Sequence, residues 1–169
     1  DATHTTPDAL TLQCLFREMV DSGCKFCFIE ASSHAIVQNR LSGTTFAGAV
    51  FTNITHDHLD YHETFDKYLA AKKQLFDSLP ANAFALINSD DSYFEDLVFD
   101  CKAEKTTYGV ASMADFKARI IENQLQGLHL HLDGQDLYSR LVGGFNASNL
   151  AAVYGVSKLL GFDGIETLT

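Results

Sequence analysis

The sequence predicts an α/β fold: a mostly parallel sheet flanked by helices, with a small antiparallel β meander. Three observations carry that expectation. Short, nearly continuous apolar runs alternate with stretches of helical periodicity, which is the pattern of βαβ units whose strands are buried on both faces. Each apolar run is followed directly by polar residues, as at the carboxyl ends of strands in open α/β sheets, where ligands gather. From Asp115 onward the period changes to two, and Gly127 and Asp133-Gly134 mark turns between hairpin strands.

Taken in order, Asp8 to Ser22 carries apolar residues at Leu10, Leu12, Leu15, Phe16, Met19 and Val20, close to helical spacing. Asp8, after Pro7, supplies the cap region and Gly23 the stop. "KFCFIEA" (25–31) is the first predicted buried strand, "AGAVFTN" (47–53) the second and "FALINS" (84–89) the third. A helix from about Thr64 to Ser78, closed by Pro80, joins the second to the third. A further helix over Ser92 to Cys101 leads to a short strand at "KTTYGV" (105–110). After the meander, a helix from about Asn146 to Leu160 ends at Gly161, and "GFDGIETLT" resembles the start of another. There is no repeat, low-complexity stretch or linker.

The chain has 169 residues, enough for one medium domain with a real core. Its 46% apolar and 20% charged content is that of a soluble globular protein. A formal net charge of −10 argues against sequence-independent nucleic-acid binding and against docking on anionic lipid. It leaves room for a nucleotide held by local groups and a metal ion. Cys24 and Cys27 form a lone C-x-x-C inside a predicted strand, where residues three apart face opposite sides, so joint metal binding is not expected. With Cys14 and Cys101 they read as reduced, mostly buried thiols, and a reducing cytoplasm fits. No apolar run approaches the ~18 residues of a membrane span. The opening without methionine and the ending in a helix-like turn read as cuts, so the chain is expected to be a piece of something longer.

The candidate chemistry lies after the predicted strands: Glu30-Ala31-Ser32-Ser33-His34, then Thr52 to His58, then Asn88-Ser89-Asp90-Asp91. Carboxylate and imidazole converging on one crevice suit a hard divalent ion such as magnesium or manganese. Blander readings exist for each. Asp57, Asp60 and Asp66 serve equally as caps and turn residues, Asn88 to Asp91 as a turn and a helix cap, and His129 and His131 as surface residues of a hairpin. "HDHLDYH" lacks H-E-x-x-H, so structural zinc is disfavoured. Lys72, beside Ala70 and Ala71, is either a solvated lysine with a buried stem or a desolvated amine able to add carbon dioxide and become a carbamate. The residues alone leave that choice open.

"HTTPD", "EASSHAIVQNR", "FTNITHDHLDYHETFDKYLAAKKQLF", "INSDD" and "GGFNASNL" occur in that order and together resemble the central domain of the Mur ligases over almost the whole chain. "SSHAIVQNR" with "DHLDYH" points to the members that add the third residue of the peptidoglycan stem peptide. The resemblance implies a P-loop-NTPase-like domain, truncated on its N-terminal side, with residues 1–169 a partial central domain. The UDP-binding N-terminal domain and the C-terminal domain are then absent. It implies an ATP- and magnesium-dependent cytoplasmic ligase. That enzyme phosphorylates the glutamate γ-carboxylate of UDP-N-acetylmuramoyl-L-alanyl-D-glutamate (UDP-MurNAc-L-Ala-D-Glu), and the amine of a diamino acid then attacks the acyl phosphate.

Residue by residue, the resemblance makes Glu30 and His58 magnesium ligands and Lys72 a carbamylated lysine at the same site. It assigns Thr5, Thr6, Ser32, Gln38 and Arg40 to the UDP-linked substrate. Asn53 becomes an active-site asparagine, and Asn146, with Asn149 as a companion, lies near adenine. Ala31, where valine is common, and His56, where arginine or another polar residue is usual, depart from the pattern without removing a ligand. No G-x-x-x-x-G-K-[ST] loop is present, so the isolated chain is expected to be inactive, with Lys72 unmodified. The alternatives are a non-catalytic binding or scaffold paralogue, a ligase for a related γ-glutamyl substrate, and a metal-dependent hydrolase built on the histidines.

Overall fold

A computed structural model describes residues 6–55 and 59–168. Its centre is a six-stranded sheet whose spatial order, β1-β2-β3-β4-β5-β6, is also the chain order. Strands β1 (Gly48–Phe51), β2 (Phe84–Asn88) and β3 (Glu104–Gly109) pair in parallel. Strand β4 (Phe116–Gln124) joins β3 through only Tyr108↔Phe116 and Gly109↔Lys117, then runs antiparallel to β5 (Gly127–Leu132), which pairs with β6 (Gln135–Ser139). The β5–β6 turn is Asp133-Gly134, with φ of 50° and 80°, the left-handed pair that a two-residue hairpin needs.

Helices cover both faces. On β2, Ala85 and Ile87 point into a core with Phe51, Tyr68, Phe76, Leu79 and Leu97, built by α4 (Phe65–Asp77) and the short α5 (Phe94–Leu97). Leu86 points the other way, against α6 (Phe145–Leu159) and α7 (Gly164–Leu168), beside Tyr108, Ala151 and Tyr154. That alternation is the period-two rule of a strand buried on both sides. Helix α6 comes close because Gly155 has no Cβ: one placed there would sit 2.9 Å from carbons of both Leu86 and Phe116.

The predicted helix boundaries recur. Helix α1 (Ala9–Asp21) is capped by the Asp8 carboxylate on the Thr11 amide, and α4 by the Thr64 hydroxyl on the Lys67 amide. The predicted helix over Ser92 to Cys101 shortens to α5, whose N-cap Tyr93 makes no side-chain bond to the helix. Two short helices, α2 (Ser33–Val37) and α3 (Leu59–His62), complete the list among the described residues. No helix among them is long and apolar enough to cross a membrane.

One expectation fails. Residues 25–31, the first predicted strand, form no regular secondary structure and belong to no sheet, and Phe26 and Phe28 are 49% and 74% exposed. Apolar, β-prone composition makes a strand only where another backbone lies about 4.8 Å away to complete the ladder. Here open space separates Cys27–Ile29 from Gly48 and Val50 of β1, with residues of both lining it. The cysteine expectation is corrected with it: all four thiols are free, but Cys14, Cys24 and Cys27 are exposed and only Cys101 is buried.

Candidate functional site

The segment after α1 is tied down at its far end. Buried Thr6 donates its hydroxyl to the Glu30 carbonyl (2.8 Å), and Arg40 Nη1 donates to the Thr6 carbonyl (2.8 Å). The same guanidinium sends Nε and Nη2 to Gln38 Oε1 (3.0 and 2.6 Å), and Gln38 Nε2 donates to the Tyr61 hydroxyl (3.3 Å). Ser32 caps α2, its hydroxyl accepting from the Ala35 amide (3.2 Å). Below it, Ser33 Oγ and His62 Nε2 meet at 2.8 Å in a buried pair that fastens α2 to α3.

A cavity of about 530 Å3 opens at the carboxyl end of β1. Glu30 and Ser32 line one side, Thr52, Asn53 and Thr55 of the loop after β1 another, and Lys72 of α4 a third. Lys72 follows Ala71, which is 2% exposed, and its ammonium stands 5.3 Å from the centroid of the Tyr68 ring. That is within the range of a cation–π contact. An apolar-walled cavity of about 680 Å3 shares Phe28, Val50 and Thr52 with the first and reaches Asn149 on α6. Asn149 Nδ2 donates to Asn146 Oδ1 (3.1 Å), and Asn146 Nδ2 donates to the Val142 carbonyl (2.8 Å).

Of the residues predicted from sequence, Glu30, Ser32, Asn53 and Lys72 therefore share one cavity. Thr6, Gln38 and Arg40 form a single bonded set that reaches it through the Glu30 carbonyl. Asn149 faces the adjoining cavity, with Asn146 bonded beside it. Thr5 and His58 lie outside the described residues. So do His56 and Asp57 of the histidine cluster. His129 and His131 flank Asp136 on the meander, with His131 Nδ1 2.8 Å from the carboxylate, away from these residues.

The oxygen donors of the first cavity, a carboxylate, a carboxamide and hydroxyls, fit magnesium. That ion takes one or two protein carboxylates and fills its other positions with water and phosphate oxygens. Among the described residues no cluster of three or more His, Cys, Asp or Glu side chains is present that could hold a metal ion.

What sequence reasoning missed is how the loop after β1 is held. Asn88 Nδ2 donates to the Thr52 carbonyl (2.6 Å), Asp91 Oδ2 accepts from the Ile54 amide (2.9 Å), and the Tyr108 hydroxyl donates to the Phe51 carbonyl (3.1 Å). Burial pushes the Tyr108 phenol well above its usual range, so it stays protonated as a donor. The polar run at Asn88 to Asp91 was the available signal.

Comparison with known proteins gives a consistent picture. The family description "Mur ligase middle domain" matches residues 1–157. A UDP-N-acetylmuramoyl-L-alanyl-D-glutamate–2,6-diaminopimelate ligase of Cytophaga hutchinsonii is 53% identical over 167 residues, 99% of this chain and 34% of that protein. The ligase of the same name from Parabacteroides distasonis is 50% identical over 165 residues, 98% of this chain and 34% of that one. A solved structure of a ligase bearing this name superposes with a TM-score of 0.86 at 33% identity, covering 98% of this chain and 36% of that one. The chain thus spans about a third of the length of the curated relatives it matches.

Proposed function

This chain belongs to the Mur ligase family, matching its middle domain, and from that premise we propose that it is the central portion of a MurE-type, ATP-dependent ligase. The intact enzyme joins a diamino acid, by the relatives' names 2,6-diaminopimelate, to UDP-MurNAc-L-Ala-D-Glu. The observation that carries this reading is the convergence of Glu30, Ser32, Asn53 and Lys72 on one cavity at the carboxyl end of a parallel sheet.

In this reading ATP phosphorylates the substrate's γ-carboxylate, the incoming amine attacks the acyl phosphate, and inorganic phosphate leaves. Magnesium would neutralise the oxygens during phosphoryl transfer. Glu30, with His58, holds the ion; Asn53 contacts the nucleotide side of the site. Lys72, once carbamylated, presents a carboxylate in place of a cation. Thr6, Gln38 and Arg40, with Thr5, orient the UDP-linked substrate; a guanidinium already fixed in plane is suited to clamp a carboxylate or phosphate. Asn149 and Asn146 stand at the adenine. We place the enzyme in the cytoplasm.

The open space between residues 27–29 and β1 supports a domain reading as well. In the full-length protein it accommodates one further parallel strand, the one that leads into a phosphate-binding loop. The 169-residue chain alone is then inactive, with Lys72 unmodified. A non-catalytic scaffold reading draws no support from a cavity that keeps Glu30 and Lys72.

The test is an assay of phosphate release by the full-length protein with ATP, magnesium, UDP-MurNAc-L-Ala-D-Glu and 2,6-diaminopimelate or lysine. Release should require every component and favour diaminopimelate. Lys72→Arg, which keeps the charge and cannot become a carbamate ligand, should lower kcat by about 100-fold or more while leaving folding intact. ATP-independent turnover, or a Lys72→Arg enzyme of wild-type rate, would refute the reading.

A further inference from the structure

The turn after β2, Asn88 to Asp91, is placed between two loops and bonds to both. Toward β1, Asn88 Nδ2 donates to the Thr52 carbonyl (2.6 Å) and Asp91 Oδ2 accepts from the Ile54 amide (2.9 Å). Toward β3, Asp90 accepts from the amides of Val110 (2.6 Å), Ala111 (3.0 and 3.1 Å) and Ser112 (2.5 Å). Each arm is also locked at its root. Asn88 Oδ1 accepts from the Asp90 amide (3.0 Å), and Asp91 Oδ1 accepts from the Tyr93 amide (2.9 Å). Asn88 is 7% exposed, so its carboxamide has little water to fall back on.

The two bonds toward β1 fall on the residues immediately before and after Asn53. Thr52 is held by its carbonyl and Ile54 by its amide, while the Ile54 side chain is 7% exposed in the core. Asn53 is therefore presented to the cavity from a peptide segment fixed on both sides. A turn that only ended a strand and capped a helix needs the bonds to Asp90 and Tyr93; it does not need to reach 36 and 37 residues back along the chain.

We propose that Asn88 and Asp91 are positioning residues for the cavity wall that carries Asn53, and so set the enzyme's affinity for magnesium-ATP. Asp90, in the same turn, does the equivalent for the loop after β3 and leaves that affinity alone. The proposal rests on the ligase reading for its ligand and on geometry alone for the bracket.

Asp91→Asn and Asp90→Asn in the full-length protein separate the two. In Asp91→Asn the single remaining oxygen cannot serve both the Ile54 and Tyr93 amides as a carboxylate does. Partners one step removed from a metal or ligand typically change affinity 10- to 100-fold, so KM for magnesium-ATP should rise about tenfold in Asp91→Asn, with KM for the UDP-linked substrate within about twofold of wild type. Asp90→Asn should keep the wild-type ratio of the two. Amide hydrogen exchange should accelerate about tenfold or more over 52–55 in Asp91→Asn, and over 110–112 in Asp90→Asn.

A parallel change in both KM values, or an unchanged KM for magnesium-ATP whatever the exchange at 52–55, overturns the proposal. If the wild-type protein shows no ATP-dependent ligation, the ligase reading fails separately. The nucleotide part of the proposal fails with it, and the exchange comparison still decides whether the bracket exists.

Discussion

Replacing Asp90 by asparagine tests how much a single carboxylate holds at the end of β3. Its two oxygens accept from three successive amides, those of Val110, Ala111 and Ser112. Asparagine offers one oxygen and turns an NH2 donor toward the remaining N–H groups, so at least one amide loses its acceptor. Hydrogen bonds to a charged group contribute roughly 1.5–3 kcal/mol when shielded; the turn is solvent-exposed and water reaches the freed amide, which reduces the cost to about 1–2 kcal/mol. For a chain of this length that is a fall in Tm of about 2–8 °C.

The pH dependence follows from the same contacts. Burial pushes the Asp90 carboxyl up, but the Ser112, Val110 and Ala111 amides together outweigh it and hold it below the ordinary value of 3.8. A depressed folded-state pKa gives stability that is complete above the unfolded value and disappears as pH falls through the folded one. The Tm gap between wild type and Asp90→Asn should be flat from about pH 5 to 8 and close below about pH 4. Thermal unfolding of the 169-residue chain by circular dichroism, stepped through pH, measures it. A gap under about 1 °C at neutral pH, or one that persists unchanged in acid, would show that the charge is not what holds the loop.

Two further outcomes are expected. Leu86→Ala should cost about 3–5 kcal/mol in denaturant unfolding, because Leu86 is fully buried and α6 already lies against it at Gly155 with little room to collapse. A loss below about 1.5 kcal/mol would mean that the helix settles into the space. With a thiol-reactive disulfide reagent, Cys14, Cys24 and Cys27 should react in the native protein and Cys101 only on unfolding. Fast reaction of Cys101 would place it at the surface.

Much of this architecture was legible in the sequence because it is locally encoded. Asp8, Thr64 and Gly161 mark helix ends that the structure reproduces within a residue or so, through cap bonds and a left-handed glycine (φ 83°). The meander followed from its period and from Asp133-Gly134. Residues 25–31 were not legible, since a strand is a property of two segments and their own composition describes only one. The site divides along the same line. Glu30, Asn53 and Lys72 stand out by their position after apolar runs or among small residues, and by the resemblance that the family match supports. The Asn88 and Asp91 arms connect residues 36 and 37 positions apart, a relation that neither local pattern nor composition carries.

The agreement between spatial and chain order in the sheet bears on how the molecule is made. From β2 onward each described strand pairs with the one synthesised just before it, so a chain leaving the ribosome can add these strands in turn without waiting for distant sequence. Sequential pairing of this kind keeps loop closures short for a parallel sheet and limits the time that an unpaired forward edge stays open to a neighbouring chain. The growing edge moves steadily toward β6, so the antiparallel meander is added last, onto a parallel core already formed.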